Sequence, residues 1–127
     1  MLYIFPVPEL NKMKITNLTN HKILASDAGL CNTILSKSIG LMFSKNKKKS
    51  LVFKFSREMI VPLHMIFVFY PIDALFLNKK NIVVELKENF MPFTLHSPSK
   101  KSMCVIELPQ GTIKKTKTMI GDKIKIS

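Results

Sequence analysis

Four ionisable residues lie within or beside apolar segments of this chain and are the ones best placed to do chemistry. His64 and Asp73 belong to the run MIVPLHMIFVFYPIDALFL at 59–77, Glu107 lies near the end of SMCVIEL, and Asp122 follows a glycine. Burial shifts the pKa of such groups, and imidazole and carboxyl side chains are common acid–base catalysts. The sequence therefore offers His64, with Asp73 or Glu107, as candidate catalytic groups.

The two residues of the long apolar run also have a structural explanation. In one continuous strand His64 and Asp73 have opposite parity and face opposite sides of a sheet, so they meet only if the chain bends or bulges at Tyr70–Pro71. We expect His64 to be a core or rim histidine with satisfied hydrogen bonds, because buried polar groups find partners whether or not they react. Asp73 is expected to accept from backbone amides beside the break.

The acidic residues of the C-terminal third fit structural roles as well. Pro109 and Gly111 follow Glu107, which indicates a turn from whose amides its carboxylate would accept. Asp122 comes after Gly121 and is expected to be a turn residue that starts the last strand. The full candidate ligand-binding set is His64, Asp73, Glu107, Gly111 and Asp122.

The signature motifs of common enzymes are missing from the sequence. It contains no GxGxxG, P-loop, HExxH, GxSxG or paired-cysteine zinc spacing. A metal site would need distant side chains to converge, and no spacing among them is diagnostic. We therefore predict no metal and no cofactor. The side chains considered as ligands are His21, His64, His96 and Cys104.

An excess of lysine gives the chain a strong positive charge. The 20 basic residues against 8 acidic ones give a formal net charge of +12, which attracts polyanions and acidic surfaces. The lysine clusters contain no interleaved aromatics, whereas single-strand binders pair a basic groove with aromatic platforms. We expect a mostly solvated surface, with weak and salt-sensitive nucleic-acid binding as an alternative. The clusters are Lys45, Lys47, Lys48 and Lys49, and then Lys114, Lys115, Lys117, Lys123 and Lys125.

The apolar run at 59–77 is predicted to lie in a folded core and not in a membrane. Its length is marginal for a spanning helix, but Asp73 would cost about 3 kcal/mol near the bilayer centre. Pro62 and Pro71 would each interrupt the hydrogen bonds of such a helix. The N-terminus has no basic region of a signal peptide, and the two cysteines, Cys31 and Cys104, could form at most one bridge and show no metal-ligand spacing. We predict a cytoplasmic protein with reduced cysteines and no transmembrane segment.

Most of the chain is predicted to form strands. Aromatic and branched residues dominate the apolar run, and the polar residues NKKN at 78–81 separate IDALFL from IVVELK, which indicates a hairpin. Near-continuous apolarity predicts burial on both faces, as in a central strand or the wall of a small barrel. Strands are expected over KMKITNL and HKILASD, joined at Thr19 and Asn20, and near 51–55, 64–70, 72–77, 82–87, 102–108 and 122–127.

Helices are expected to be short. Asn32 or Thr33 is a candidate cap for a helix that runs to about Phe43 and presents one apolar face. The segment GTIKKTKTMIGD is expected to hold one helical turn that ends before Gly121.

The pattern therefore predicts a mainly β (α+β) fold in one domain over residues 13–127. We expect a barrel-like or strongly curved antiparallel sheet with one or two short helices. Residues 1–12 are predicted to form an extended arm, since Pro6 and Pro8 favour an open backbone, and Met13 is an alternative start.

Several short motifs in a fixed order resemble those of a known family. They are GLM at 40–42, His64, PIDALFL at 71–77, ELPQGT at 107–112 and GD at 121–122. Their order and separations resemble the uncharacterised family called domain of unknown function 192, over about residues 14–126. The resemblance implies a small, mainly β domain with a short helix, places the five candidate ligand-binding residues on motif positions, and assigns no biochemical activity. Bacterial members usually read HTFGMRFPID where this chain has HMIFVFYPID, so their glycine, methionine and arginine are replaced here.

Three hypotheses of function remain open. The first is a noncatalytic binding module that holds a small ligand or a partner segment in a groove near His64 and Asp73. The second is an enzyme of unknown reaction that uses His64 with Asp73 or Glu107 as acid–base groups. The third is a nonspecific nucleic-acid binder that acts through its lysines. Ionisable side chains that converge in a concave pocket would favour catalysis, whereas separate turn-bonding roles would favour the module.

Overall fold

The computed structural model describes residues 12–31, 49–64 and 70–127, without the side chains of Cys31 and His64. Most of these residues are in strands, as the sequence predicts. The strands are β1 (Lys12–Asn17), β2 (Lys22–Cys31), β3 (Leu51–Met59), β4 (Leu63–His64), β5 (Ile72–Leu77), β6 (Val83–Phe90), β7 (Leu95–His96), β8 (Ser102–Pro109) and β9 (Ile124–Ile126), and the helix α1 is Thr112–Thr116.

The strands of the described ranges form one large curled sheet and one small sheet. The large sheet has seven strands in the order β6-β5-β8-β3-β2-β1-β9, and β4 pairs with β7 in the small one. Neighbouring strands run antiparallel except β2 and β3, whose parallel pairing differs from the antiparallel sheet predicted. A parallel pair requires a long crossover connection. The predicted helix from Asn32 or Thr33 to Phe43 falls in that connection, at 32–48, outside the described residues.

The two edges of the large sheet meet, which gives it the form of a half-barrel. Ile82, before β6, and Lys123, before β9, form an isolated antiparallel bridge. Beside it the Val83 amide donates to the Asp122 carbonyl at 2.9 Å, and the Gly121 amide donates to the Val83 carbonyl at 2.8 Å. Joined edges expose fewer unpaired backbone groups to other chains. The curved, barrel-like architecture predicted from the sequence is confirmed.

Apolar side chains cover both faces of the large sheet. The inner cluster lies on the concave face, since both closing edges contribute to it, and the outer cluster lies on the opposite face with Leu63 of β4 packed against it. The division follows the pleat, because successive residues of a strand point to opposite faces. The inner cluster is Ile15, Leu24, Ala28, Val52, Leu75, Leu77, Val83, Cys104, Ile106, Leu108, Ile113 and Ile124, and the outer cluster is Leu51, Phe53, Val61, Tyr70, Ile72, Ala74, Phe76, Phe90 and Val105.

Strand β5 accounts for the C-terminal part of the long apolar run. All six of its residues, IDALFL, are buried, because the strand lies between β6 and β8 with an apolar cluster on each face. The predicted strand at 72–77 and the hairpin to β6 are confirmed. Asn78 shapes the hairpin turn, since its Oδ1 accepts from the Lys80 and Ile82 amides at 2.9 and 3.0 Å.

Two strand boundaries differ from the prediction. Strand β3 continues to Met59, beyond the predicted end at residue 55. Of the strand predicted for 64–70, the structure shows Leu63–His64 as a strand, and residues 65–69 lie outside the described part of the chain.

Near the ends of the chain, the elements follow the predicted order. Strand β1 begins at Lys12, and residues 1–11 of the predicted arm lie outside the described residues. Helix α1 at Thr112–Thr116 confirms the helical turn predicted before Gly121. Among the helices of the described ranges, none has the length and apolarity needed to cross a membrane.

Candidate functional site

Glu107 is a buried carboxyl group in the middle of the large sheet. It lies on β8, directly opposite Leu51 of β3 and Ala74 of β5, and only 7% of the residue is exposed. Burial raises the pKa of this carboxyl from 4.5 to about 7, because the charged form loses its hydration. Within the described residues, no hydrogen bond or charge offsets that cost. A carboxyl with a near-neutral pKa can exchange a proton under physiological conditions.

The pleat of β8 explains why Glu107 is not bonded to the turn that follows it. Its side chain points to the same face as Val105, a member of the outer cluster, whereas Leu108 points to the inner cluster. The turn around Gly111 continues into α1, which packs on the inner face through Ile113. The prediction that the Glu107 carboxylate accepts from the amides of this turn is therefore wrong.

Asp73 has the backbone-bonding role predicted for it, with partners farther along the chain. The residue is fully buried, and its two carboxylate oxygens accept from the Asn89 amide at 3.1 Å and the Ile113 amide at 2.9 Å. These bonds join β5 to the end of β6 and to the first turn of α1. Buried carboxylates need such donors.

The two carboxyl groups lie on opposite faces of the sheet. Asp73 is opposite Leu108 in the register of β5 and β8, while the next residue, Ala74, is opposite Glu107. Neighbouring residues of a strand point to opposite faces, so Asp73 and Glu107 cannot act on one ligand from the same side. The backbone of His64 pairs with Leu95 of β7, and its side chain lies outside the described atoms.

Asp122 and Gly111, the remaining members of the predicted set, belong to turns. Gly111 has φ +88° immediately before α1, a conformation that side chains disfavour. Asp122 is buried, and its Oδ2 accepts from the Met119 amide at 2.9 Å and from Asn17 Nδ2 at 2.8 Å. The predicted turn role of Asp122 is confirmed.

Asn17 was missed by the sequence reasoning, although it connects three segments. Its side chain is fully buried and donates to Thr118 Oγ1 and Asp122 Oδ2, while its Oδ1 accepts from the Thr19 amide at 2.9 Å. Thr118 in turn lies 2.7 Å from the Thr116 hydroxyl. This buried polar network links the β1–β2 turn to the segment between α1 and β9. The signal available in the sequence was the Asn-Leu-Thr-Asn turn composition at 17–20.

A second cluster of polar side chains lies beside the outer cluster. His96 Nε2 is 2.9 Å from Glu85 Oε2, and the amide and hydroxyl of Ser99 donate to Glu85 Oε1 at 2.8 and 3.0 Å. The His96 ring packs against Phe76 and Phe90, with centroids 5.6 and 6.0 Å away. Burial favours a higher pKa for Glu85, but the bonds from Ser99 and the contact with His96 outweigh it and lower that pKa. The pair holds β7 against β6.

Cys104 does not have the lowered pKa of a reactive thiol, because burial outweighs the opposite effect of Lys54. It is a buried free cysteine of the inner cluster, and burial raises the pKa of its thiol to about 12. Reactive cysteines have the opposite property, a lowered pKa. Among the described residues, no group of three or more His, Cys, Asp and Glu side chains is close enough to hold a metal ion.

The C-terminal lysines lie in α1, in β9 and in the segment between them. Lys114 and Lys115 lie in the last turn of the helix, and all five lysines of this cluster are exposed. Lys125 lies opposite Thr16 of β1, and Lys123 Nζ donates to the Lys80 carbonyl. Of the other predicted cluster, Lys49 is described, and the remaining three lysines lie outside the described residues.

Comparison with known proteins settles the family of this chain. Residues 14–126 match the family domain of unknown function 192 (DUF192), described as Uncharacterized ACR. The chain belongs to the DUF192 family. The resemblance predicted from GLM, PIDALFL, ELPQGT and GD is thereby confirmed.

Curated relatives of this DUF192 domain come from archaea and are named UPF0127 proteins. The relative from Thermococcus sibiricus is 30% identical over 112 residues, which is 87% of this chain and 72% of that protein. The relative from Thermococcus kodakarensis is 32% identical over 112 residues, covering 87% and 71%. Their names assign no activity.

Two bacterial crystal structures share the fold. A protein of unknown function from Novosphingobium aromaticivorans superimposes with a TM-score of 0.80 at 19% identity, covering 97% of this chain and 91% of that one. A protein from Sinorhizobium meliloti, described as a candidate transcription regulator, gives a TM-score of 0.78 at 20% identity, covering 93% and 97%. At such low identity the likeness establishes the fold of the DUF192 domain and nothing about its ligands.

Proposed function

We propose that this DUF192 domain is a noncatalytic binding module, which holds a small ligand or a segment of a partner protein against the outer face of the sheet at Glu107. The observation that carries the proposal is a buried carboxyl group with a pKa near 7 and no hydrogen bond from any described residue. Buried polar groups in native proteins nearly always have partners, and a group without one calls for an explanation. A bound ligand supplies the missing partner.

The chemistry of Glu107 restricts what such a ligand would be. Near pH 7 the carboxyl is partly protonated and offers both an O–H donor and a carbonyl acceptor. Its neighbours in register, Leu51 and Ala74, are apolar. An uncharged amide or hydroxyl group attached to an apolar body fits this combination, because it replaces lost hydration without adding a buried charge.

The other candidate residues favour a module over an enzyme. Asp73 bonds two backbone amides on the opposite face, and Asp122 bonds an amide and Asn17 in a turn. Separate structural roles of this kind leave Glu107 without a carboxylate partner among the described residues. The acid–base alternative reduces to Glu107 with His64, and the near-neutral pKa of Glu107 is the observation in its favour.

Native mass spectrometry of the purified chain tests the proposal. We expect a copurified small molecule or peptide in the native chain, a strongly reduced amount in Glu107→Leu, and an unchanged amount in Glu88→Gln, which alters an exposed carboxyl. A second readout is the pKa of the isotope-labelled Glu107 carboxyl, measured by NMR with and without N-methylacetamide or benzamide. We expect this pKa to change when either amide binds. Equal amounts of the copurified molecule in all three proteins would refute the proposal. It would also be refuted if the native chain carries no such molecule and its Glu107 resonance does not change when either amide is added.

A further inference from the structure

One loop cluster combines exposed apolar side chains with lysines. It consists of residues 18–23 and 117–123, which we call the basic tip. Its exposed large apolar residues include Met119 at 64% and Ile120 at 63%, neighbours at the apex of a turn. The exposed basic residues of the tip are Lys22, Lys117 and Lys123.

Hydrogen bonds hold the two halves of the basic tip together. The Leu18 amide donates to the Lys123 carbonyl at 2.8 Å, and the Lys123 amide donates to Thr19 Oγ1 at 2.9 Å. Asn20 Nδ2 donates to the Thr116 carbonyl at 2.8 Å, just before the second half begins. The exposed side chains are therefore presented from a fixed backbone and not from independent loops.

The turn that carries Met119 and Ile120 is fixed as well. The Met119 amide donates to Asp122 Oδ2 at 2.9 Å, and the Asp122 amide donates back to the Met119 carbonyl at 3.1 Å. Gly121 takes φ +97°, which side-chain-bearing residues rarely adopt. A buried aspartate and a glycine thus fix a turn that holds two large apolar side chains exposed to water.

The exposed charged side chains of the basic tip are all lysines. The sole acidic residue in the sequence of the tip is Asp122, and its carboxylate is buried and bonded within the turn. Lys80 approaches from the neighbouring hairpin, where Lys123 Nζ donates to its carbonyl. In the same hairpin the Lys79 amide donates to the Glu58 carboxylate at 2.9 Å, so an acidic side chain lies beside the hairpin, outside the tip.

We propose that the basic tip docks on an anionic phospholipid surface, with Met119 and Ile120 inserted at the boundary between headgroups and acyl chains and the surrounding lysines close to the headgroup phosphates. Apolar insertion and attraction of lysines to anionic lipids are the two components of interfacial binding. Nucleic acid fits less well, because the tip contains no Phe, Tyr or Trp, the larger aromatic side chains on which bases stack. This inference uses a different surface from Glu107 and does not depend on the proposed ligand.

Tryptophan fluorescence gives a site-specific test, since the chain contains no tryptophan. Ile120→Trp introduces a single fluorophore at the apex, and Leu95→Trp introduces one at a position that is 74% exposed outside the tip. On vesicles of equal parts phosphatidylcholine and phosphatidylglycerol, we expect a blue shift for Ile120→Trp and none for Leu95→Trp. Vesicles of phosphatidylcholine alone should leave both spectra unchanged.

Vesicle cosedimentation of the full chain measures how much the apolar side chains and the lysines of the basic tip each contribute to membrane binding. We expect Met119→Ser with Ile120→Ser to weaken partition onto the anionic vesicles about tenfold. Lys22→Gln with Lys117→Gln should weaken it by about fivefold per lysine. The matched controls are Met91→Ser with Leu95→Ser and Lys100→Gln with Lys101→Gln, which change exposed residues outside the tip and should leave partition within about twofold.

Three results would overturn the proposal. They are no partition of the native chain onto anionic vesicles, an equal loss in tip and control variants, or tip-dependent binding of short DNA or RNA with no binding to vesicles. All substituted side chains are exposed, and amide NMR spectra of each variant verify the fold before the measurement.

Discussion

At the scale of single residues, Glu107 should couple the stability of the domain to pH. Its pKa is about 7 in the folded chain and near 4.5 when unfolded, so between these values the folded chain binds more protons. The contribution of Glu107 to the free energy of unfolding is therefore most favourable below about pH 4.5 and becomes less favourable as the pH rises to about 7. We expect Glu107→Gln to gain up to about 3 kcal/mol relative to the native chain between about pH 4 and pH 8.

Urea unfolding across this pH range measures the effect of Glu107. The exposed carboxyl variant Glu88→Gln serves as the control and should follow the native chain. The expected pattern is a divergence between Glu107→Gln and native stability that grows over the window from about 4.5 to 7 and then stays constant. Parallel curves for the two proteins would show that Glu107 is not perturbed in the folded state.

Glu85 should contribute to stability in the opposite direction of pH. Burial favours a higher pKa, but the Ser99 donors and His96 lower it below 4.5 in the folded chain. Its contribution is therefore present above about pH 4.5 and is lost as the pH falls through the lowered folded value. We expect Glu85→Gln to cost about 1 kcal/mol near neutral pH and almost nothing in strong acid, as measured by urea unfolding. If Glu85→Gln costs the same in strong acid as at neutral pH, the cost does not come from the charged form of Glu85.

The residues that the sequence identified correctly are those whose bonds are local or use backbone donors. Asp122 follows this rule, since its turn lies within a few residues. The hydrogen bonding of Glu107 was predicted wrongly because its surroundings depend on the pairing of β8 between β3 and β5, which the residues next to it do not encode. The Glu85–His96 contact depends on the same kind of information, because β7 must first fold against β6.

At the scale of elements, Asp73 should control the attachment of α1. A helix of five residues is too short to be stable alone, so its position depends on Ile113 in the inner cluster and on the bond from the Ile113 amide to Asp73. Asp73→Asn keeps the shape of the side chain but places its NH2 group against one of the two backbone amides that donate to Asp73, those of Asn89 and Ile113. We expect a loss of about 3 kcal/mol in the free energy of unfolding.

Hydrogen exchange locates the effect of Asp73→Asn. The Ile113 and Asn89 amides should lose protection first, since they donate to the altered group. Asp27→Asn, which changes an exposed carboxylate on β2, should leave stability and exchange unchanged. Equal protection of Ile113 in the native chain and in Asp73→Asn would contradict the proposed attachment.

The sequence predicted elements better than it predicted their partners. The near-continuous apolarity of β5, interrupted only by Asp73, and the turn residues after it were sufficient to place that strand and its hairpin. The parallel pairing of β2 with β3 was not predictable from either strand, because periodicity reports which faces are buried and not which strand lies alongside.

At the scale of the whole molecule, closure of the sheet depends on the buried network around Asn17. The edges β6 and β9 meet through backbone bonds of Val83 with Gly121 and Asp122, and Asp122 is held by Asn17 from β1. The same network fixes the basic tip, since it joins the β1–β2 turn to residues 118–122. Closure and tip geometry are thus two consequences of one set of hydrogen bonds.

Asn17→Ala should therefore open one seam of the half-barrel before the rest unfolds. The substitution leaves Asp122, Thr118 and the amides of Thr19 and Asn20 each without one partner, so we expect a loss of about 3 kcal/mol in urea unfolding. In hydrogen exchange the Val83 and Gly121 amides should lose protection, while amides of β5 and β8 keep theirs up to global unfolding. Asn20→Ala, which removes bonds to the Thr116 and Lys117 carbonyls and from the Lys22 amide, all at least partly exposed, should cost about 1 kcal/mol and spare the seam. If every strand of Asn17→Ala loses protection together, the half-barrel unfolds as one unit and has no separable seam.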